Sequence, residues 1–231
     1  MKVLGLIPAR KGSKSIPGKN LVPINGIPLI QYAIKSAQAT SRLDRIVCST
    51  DDPKVKEECE EWGVPVLERK PELATDDAPI IEVMRDVLRE EKADVVVLIQ
   101  PTSPFTLPDH IDSCVRALES GKYNSAQTIA KFPHNYHAFN QRVVHSQSVS
   151  FYFEAERAMY YNKQRKPQFY MFGNVVATRV RAIKHESIFA LPSYPVLIPY
   201  HYALDLDGPE DIELAEWYLD TNKVKLSYLG A

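Results

Sequence analysis

The chain has 231 residues, and its 45% hydrophobic content is enough to bury the core of one catalytic domain, so we expect a single domain over residues 1–231. Lysine and arginine total 28 against 29 aspartate and glutamate, and the formal net charge of -1 provides no overall field to attract nucleic acid or an anionic membrane. The three cysteines lie far apart and form no C-x-x-C pair, which disfavours disulfides or a zinc cage and favours a reducing compartment. No apolar run reaches membrane-spanning length, and we therefore expect a soluble, cytoplasmic protein.

Four short apolar runs alternate with four stretches of helical periodicity over the first 130 residues. The runs read KVLGLI, RIVCST, VPVLE and DVVVLIQ, and runs that are apolar on both faces are typical of interior strands in a parallel sheet. The helical stretches cover residues 29–40, 52–63, 80–92 and 110–121. This alternation predicts a doubly wound, mostly parallel α/β sheet, which binds ligands beyond the carboxyl ends of its strands.

The loop after the first run, PARKGSKSIPGKN, contains four cations and no acid. It is not a Walker A loop, because five residues separate Gly12 from Gly18 where that motif needs four, and Asn20 stands where a magnesium-binding hydroxyl is required. A basic loop at the end of a first strand is nevertheless well placed to bind phosphate. We therefore expect Arg10, Lys14 and Lys19 to surround a polyphosphate, with a solvated basic loop as the alternative.

The motif ALDLDG near the end of the chain gives a second signal. If it is a strand, Asp205 and Asp207 project to the same side while Leu204 and Leu206 face the core. Two carboxylates suit Mg²⁺, which commonly takes one or two of them together with substrate phosphates, or Mn²⁺ in its place. The alternative is that Asp207 helps to cap a helix that begins at Pro209 while Asp205 is solvated.

Three further motifs have simpler interpretations. Asp52 in STDDP is expected to cap the following helix. The segment IQPTSPF, which begins at Gln100, forms a polar rim that could hold a small ligand or could be a plain turn. His134 and His137 are spaced like a metal pair, but no third ligand is close in sequence, so we expect them to be polar residues of an arm.

Residues 131–172 differ in character from the rest of the chain. They are rich in aromatic residues and histidine and show little helical periodicity, which indicates an arm inserted into the sheet domain. Because many exposed aromatic side chains usually mark an interface, we expect this arm to mediate a homodimer. The basic run around Arg165 and Lys166 is either a solvated patch or a place that captures an anionic ligand.

Five motifs in this order resemble the acylneuraminate cytidylyltransferases, also called CMP-sialic acid synthetases. They are IPARKGSKSIPGKN, RIVCSTDDPKV, LERKPELATDDA, LIQPTSPF and ALDLDGPEDIELAE. The resemblance covers the sheet domain and the closing segment, and it implies a fold like that of the nucleotide-diphospho-sugar transferases. It further implies a homodimer formed through the arm, and a reaction in which CTP and an acidic sugar give a CMP-sugar and pyrophosphate.

The resemblance also implies roles for individual residues. The first motif would bind the phosphates of CTP through Arg10, Lys14, Lys19 and Asn20, and the aspartate pair, Asp205 and Asp207, would hold Mg²⁺. Arg69 and Ala78 match positions near the base, and Gln100 matches a glutamine that faces the acceptor sugar. Separately, if the arm forms a homodimer, Arg165 or Lys166 would reach the acceptor site of the neighbouring subunit.

Two departures from the family leave alternatives open. The family usually has Arg-Pro-Asn-Gly where this chain reads Tyr-Met-Phe-Gly, from Tyr170 to Gly173, so part of the sialic acid contact set is missing. Pro79 and Ile80 replace serines, one of which lies close to the base in the family. The alternatives are a nucleotidyltransferase that uses another base or a 3-deoxy keto-acid sugar, and a nucleotide-binding regulatory module without turnover.

Overall fold

A seven-stranded, mostly parallel sheet forms the centre of the computed structural model, which describes residues 1–185 and 187–229. The strand order is β11-β7-β10-β6-β1-β4-β5. The strands are β1 (Val3–Pro8), β4 (Arg45–Thr50), β5 (Val66–Glu68), β6 (Val95–Ile99), β7 (Ser125–Lys131), β10 (Tyr170–Arg179) and β11 (Ser193–Ile198). The short pair β2 (Pro23–Ile24) and β3 (Ile27–Pro28) lies outside this sheet.

The four apolar runs form adjacent parallel strands in the middle and at one side of the sheet. Strand β1 pairs with both β4 and β6, and β4 pairs with β5. Strand β6 is buried along its whole length, as expected for a strand covered on both faces. The predicted doubly wound sheet is confirmed.

The α-helices of the described chain are α1 (Leu29–Gln38), α2 (Pro53–Glu61), α3 (Ile80–Glu90), α4 (Pro108–Glu119), α5 (Glu154–Met159) and α6 (Pro209–Asp220). Helices α1 to α4 cover the two faces of the sheet. Helices α1, α2 and α4 contribute to one apolar cluster with Val95, Val97 and Ile99, whereas α3 packs in a second cluster with Val96 and Leu98. Because successive residues of a strand point to opposite faces, this division places α3 on the face opposite to the other three. Helix α6 packs in a third cluster against Leu29 and Phe105.

The other side of the sheet contains an antiparallel strand. Strand β10 runs antiparallel to both β6 and β7, and β11 is parallel to β7. The pairing of β10 with β7 shifts register between Phe172 and Val176. Gly173 lies in this irregular stretch, where a Cβ atom would come within 2.5 Å of the Thr128 hydroxyl oxygen, so the strands approach too closely there for a side chain.

The chain between β7 and β10 leaves the sheet. It forms a hairpin of β8 (Arg142–His145) and β9 (Ser148–Phe151), followed by the short helix α5. Phe139 is buried at the centre of this segment among other aromatic rings, those of His137, Phe153, Tyr160 and Phe169. Six large apolar side chains of the same segment are exposed, namely Tyr136, Val144, Val149, Tyr152, Met159 and Tyr161.

None of the helices in residues 1–185 and 187–229 is both long and apolar enough to cross a membrane. The three cysteines in the described chain are free and buried. Asp52 caps α2 as predicted, because its carboxylate accepts a hydrogen bond from the backbone N–H of Lys54 at 3.0 Å.

Candidate active site

A cleft of about 270 Å³ lies at the carboxyl ends of β1, β5 and β6. This is the edge of a parallel α/β sheet at which ligands usually bind. Six of the residues predicted from the sequence line it together: Arg10, Lys19, Asn20, Arg69, Ala78 and Gln100. The structure therefore brings together residues that lie up to 90 positions apart in the chain.

The basic loop is held in shape by its own side chains. The Asn20 side-chain amide donates to the carbonyl of Arg10 at 2.9 Å and so ties the two ends of the loop together. Ile16 is buried and anchors the middle of the loop, while Gly18 adopts a φ of 64°, which favours glycine. The backbone N–H of Lys11 donates to Asp51, which fixes the loop against the end of β4. These contacts hold the cations of the loop at the cleft.

Two of the loop cations share one carboxylate. The guanidinium of Arg10 lies 2.6 Å from Asp76, and the amine of Lys14 lies 2.5 Å from the same side chain. Hydrogen bonds from Lys14 and Arg10 lower the pKa of Asp76. Asp76 also lines the cleft. It lies within the motif LERKPELATDDA, but the sequence analysis gave it no role, although the excess of positive charge in the basic loop requires a counter-ion.

Lys19 connects the basic loop to the aspartate pair. Its amine donates to the backbone carbonyl of Leu206 at 2.6 Å and lies 3.9 Å from Asp207. The Lys19 side chain is only 12% exposed, whereas that of Asp207 is 88% exposed. Lys19 therefore differs from an ordinary surface cation, because the backbone carbonyl of a distant segment fixes the position of its amine.

Arg69 lies in the wall of the cleft and is buried. Its guanidinium donates to the hydroxyl oxygen of Ser49 at 3.2 Å and to the Ser49 carbonyl at 2.8 Å. Burial of the guanidinium lowers the pKa of Arg69 below its ordinary value, because desolvation disfavours the charged form. Ser49 belongs to β4, so the sheet itself positions this arginine, and sequence reasoning missed that partner.

The segment that contains Asp205 and Asp207 is not a strand, so this part of the sequence prediction was wrong. Residues 204–207 form an extended connection between a 3₁₀ helix and α6. The backbone N–H of Leu206 donates to Thr102 at 2.8 Å, and Leu206 is buried, so the segment is fastened to the loop after β6. One isolated hydrogen bond of this kind does not make a β ladder.

Asp207 does not cap helix α6. The carboxylate of Asp211 accepts hydrogen bonds from the backbone N–H groups of Asp207 and Gly208, each at 2.8 Å. The capping interpretation of Asp207 is therefore wrong, and its carboxylate remains free of that role.

Asp205 and Asp207 both border a second cavity of about 260 Å³, which is lined mainly by apolar and aromatic side chains, including Met171 and Tyr200. The Ser103 hydroxyl donates to Asp205 at 3.3 Å and orients its carboxylate. Desolvation raises the pKa of Asp205, and the negative charge of Asp207 raises it further. A divalent cation would relieve both effects, and two carboxylates are the donors that Mg²⁺ prefers, so these residues fit such an ion.

Arg165 lines neither cavity in this chain. It ends a short 3₁₀ helix, Lys163–Arg165, in the segment between β7 and β10. His137 of the same segment is buried, and its two ring nitrogens interact with the Phe139 N–H and the Pro167 carbonyl. His137 is therefore a structural residue of this segment, because both of its ring nitrogens have partners within the chain.

Comparison with known proteins agrees with this geometry. Residues 4–218 match the family described as cytidylyltransferase. The CMP-N,N'-diacetyllegionaminic acid synthase of Legionella pneumophila is 32% identical over 98% of this chain and 100% of its own length. The N-acylneuraminate cytidylyltransferase of Streptococcus agalactiae serotype V is 28% identical over 91% of this chain, but this chain spans only 52% of that protein.

Two solved structures share the fold. A CMP:2-keto-3-deoxy-manno-octonic acid synthetase complexed with CTP has a TM-score of 0.72 and 18% identity, and the alignment covers 96% of this chain and 100% of that one. A 4-diphosphocytidyl-2C-methyl-D-erythritol synthase from Anaerococcus prevotii has a TM-score of 0.63 and 14% identity, covering 95% of this chain and 96% of that one. At these identities the likeness concerns the fold alone, but the match over residues 4–218 and the full-length Legionella relative show that this chain belongs to the cytidylyltransferase family.

Proposed function

We propose that this protein activates an acidic sugar of the nonulosonic or sialic type with CTP and forms a CMP-sugar and pyrophosphate. The observation that carries the proposal is the cleft in which Arg10, Lys19 and Arg69 converge beside Asp205 and Asp207. A polyphosphate requires several cations in one place, and this cleft provides them. The Legionella relative, which matches along its entire length, is named for a sugar acid of this class.

The chemistry is an in-line displacement at the α-phosphorus of CTP. The anomeric hydroxyl oxygen of the sugar bonds to the α-phosphorus, the bond from that phosphorus to the oxygen that bridges it to the β-phosphorus breaks, and pyrophosphate leaves with that oxygen. The hydroxyl proton passes to water. Arg10, Lys14 and Lys19 offset the charge that grows on the leaving pyrophosphate. Asn20 keeps the phosphate loop in shape, since its amide closes the loop onto the Arg10 carbonyl.

Asp205 and Asp207 would hold a divalent cation, Mg²⁺ or Mn²⁺. When bound, such an ion neutralises phosphate charge and acidifies a coordinated hydroxyl. Ser103 orients the carboxylate of Asp205, while the bond from Leu206 to Thr102 keeps both aspartates beside the cleft.

The cytosine base would lie against Arg69 and Ala78. Ser49 accepts two hydrogen bonds from Arg69, which fixes the guanidinium and leaves its other N–H groups for a ligand in the cleft. Gln100, at the end of β6, would face the acceptor sugar.

The acceptor sugar would extend from Gln100 in the cleft toward the second cavity, which Asp205 and Asp207 border. Among the residues that line this cavity the charged ones are Asp205 and Asp207, which repel the carboxylate of an acidic sugar. A cation is needed there, and Arg165 or Lys166 of a neighbouring subunit could supply it. The chain would therefore work as a homodimer, with residues 131–172 as an arm within a single nucleotidyltransferase domain.

Charge on the arm supports this role. Residues 131–172 contain six lysines and arginines and two glutamates. The pKa values of His134 and Lys166 are both lowered, mainly by desolvation and then by nearby cations, and Arg157 acts on both. A cationic arm suits an anionic acceptor. The free, buried cysteines support a reducing, cytoplasmic setting.

The dimer can be tested with substitutions at exposed apolar residues. Val144→Lys and Tyr152→Lys each place a charge on the arm, and both should yield monomers at micromolar concentration in multi-angle light scattering. Leu197→Lys is the matched control, because Leu197 is equally exposed but lies on strand β11. A monomeric wild-type protein, or dissociation caused by the control alone, would contradict the proposed interface.

The reaction itself is tested with a panel of nucleotides and acceptors in the presence of Mg²⁺. The panel contains CTP, UTP and ATP, and as acceptors a sialic acid, a legionaminic-type acid and a 3-deoxy keto-acid sugar. Pyrophosphate release and the mass of the product report turnover. We expect CTP with a nonulosonic acid to react fastest. Preference for another base or for the 3-deoxy sugar would reassign the substrates, and CTP binding without pyrophosphate release would favour a regulatory module.

A further inference from the structure

We propose that Asp76 is an internal counter-ion that a polyphosphate must displace from Arg10 and Lys14 in order to bind. The inference rests on the proposed phosphate-binding role of those two cations. At this site Asp76 would hold the two cations in position and would select polyphosphates over weaker anions.

The geometry places one carboxylate where two cations meet. Asp76 lies in a turn between the 3₁₀ helix Pro71–Leu73 and α3, whereas Arg10 and Lys14 belong to the loop after β1. One carboxylate oxygen pairs with Arg10 at 2.6 Å and the other with Lys14 at 2.5 Å. The two ion pairs thus link two loops across the wall of the cleft, since Arg10 and Asp76 both line it.

Both oxygens of Asp76 are therefore engaged by the cations that a phosphate would use. A phosphate group and a carboxylate cannot approach the same guanidinium face and amine together, because their negative charges repel each other. Binding is consequently an exchange, in which the ligand must replace the contacts of Asp76 with its own.

The exchange favours polyphosphates over small anions. The paired side chains are partly or largely exposed, with 32% exposure for Arg10 and 86% for Lys14, and such ion pairs are individually weak. A tripolyphosphate offers enough charge to replace both contacts, whereas a single inorganic phosphate gains little beyond what Asp76 already provides. Asp76 would thus keep the cations together between turnovers and reject weak anions.

The test compares tripolyphosphate binding by calorimetry, at low ionic strength and without nucleotide, in the wild type and three variants. Asp76→Asn removes the charge and should tighten binding about three- to tenfold, the effect expected from removing two exposed ion pairs. Asp76→Glu keeps the charge and should stay near the wild type. Asp77→Asn changes the net charge equally, but Asp77 forms no ion pair within residues 1–185 and 187–229. It should therefore leave the affinity unchanged.

The outcomes separate the two proposals. If Arg10→Ala does not weaken tripolyphosphate binding, the phosphate-binding role of the loop fails. If Arg10→Ala weakens binding but Asp76→Asn does not tighten it, only the counter-ion role fails. Equal tightening in Asp76→Asn and Asp77→Asn would also overturn it, because net charge would then explain the effect. The counter-ion role also predicts that inorganic phosphate binds the Asp76→Asn variant measurably and the wild type only weakly.

Discussion

Replacing Lys19 by alanine should lower both stability and turnover, whereas Arg10→Ala should lower turnover alone. The Lys19 side chain is 12% exposed and donates to the Leu206 carbonyl, and a hydrogen bond from a charged group contributes about 1.5–3 kcal/mol. Because alanine also avoids the cost of burying an amine, we expect the free energy of unfolding to fall by about 1–2 kcal/mol in Lys19→Ala. In a protein of this size that loss lowers the melting temperature by about 2–8 °C.

Arg10 provides the comparison. Its side chain is 32% exposed and its partner Asp76 is near the surface, so Arg10→Ala should change the free energy of unfolding by no more than about 0.5 kcal/mol. Both residues are proposed to contact phosphate, and the loss of one such contact should reduce kcat/KM by about 10- to 150-fold.

The assay measures pyrophosphate release with CTP and the best acceptor, together with thermal unfolding of the same preparations. Lys19→Arg keeps the charge and should recover part of the lost stability. Equal melting temperatures in the two alanine variants would refute the buried contact of Lys19, and wild-type turnover in both would refute the phosphate assignment.

Two further predictions concern the aspartate pair and the bulge in β10. Desolvation raises the pKa of Asp205 in the folded state above its value in the unfolded chain. Asp205 therefore contributes stability that is fully present below its unfolded pKa and is lost as the pH rises through its folded pKa. Asp205→Asn should therefore be more stable than the wild type at pH 7 in thermal unfolding without metal, while turnover collapses at every Mg²⁺ concentration; full activity with unchanged metal dependence would exclude the metal role. Gly173→Ala should lower the free energy of unfolding by about 1–3 kcal/mol, because its Cβ would lie 2.5 Å from Thr128 Oγ1 and 2.8 Å from Ile198 Cδ1. An unchanged midpoint in urea unfolding would contradict that close approach.

The parallel half of the sheet was predictable from sequence, because buried parallel strands are apolar on both faces. The run VVVLI was predicted to be a strand for this reason, and it forms β6. Strand β7 reads SAQTIAK and has no such run, and β11 contains Pro195, which is tolerated because the strand lies at the edge of the sheet. Strands β7 and β11 were therefore missed, and β10, which runs antiparallel to both of its neighbours, was not predicted either.

The site was predictable where the chemistry is local and unpredictable where it depends on distant partners. Composition alone indicated the basic loop around Arg10, and the cleft does contain it. Asp76 is 66 positions from Arg10, and nothing in a single sequence links the two. The aspartate pair was singled out for a reason that proved wrong, because its segment is held by hydrogen bonds of Leu206 with Thr102 and Lys19 rather than by a sheet.

The bond from Lys19 to the Leu206 carbonyl joins positions separated by 187 residues. A ribosome delivers the chain from its amino end at about 5–20 residues per second, so the basic loop emerges about 10 s or more before the segment that fixes Lys19. Strands β1, β4, β5 and β6 can pair during that interval, but Lys19 has no partner until Leu206 is released. The cleft is thus completed only after the segment around Leu206 has been synthesised, and a nascent chain that stops short of it carries the cations without the aspartates.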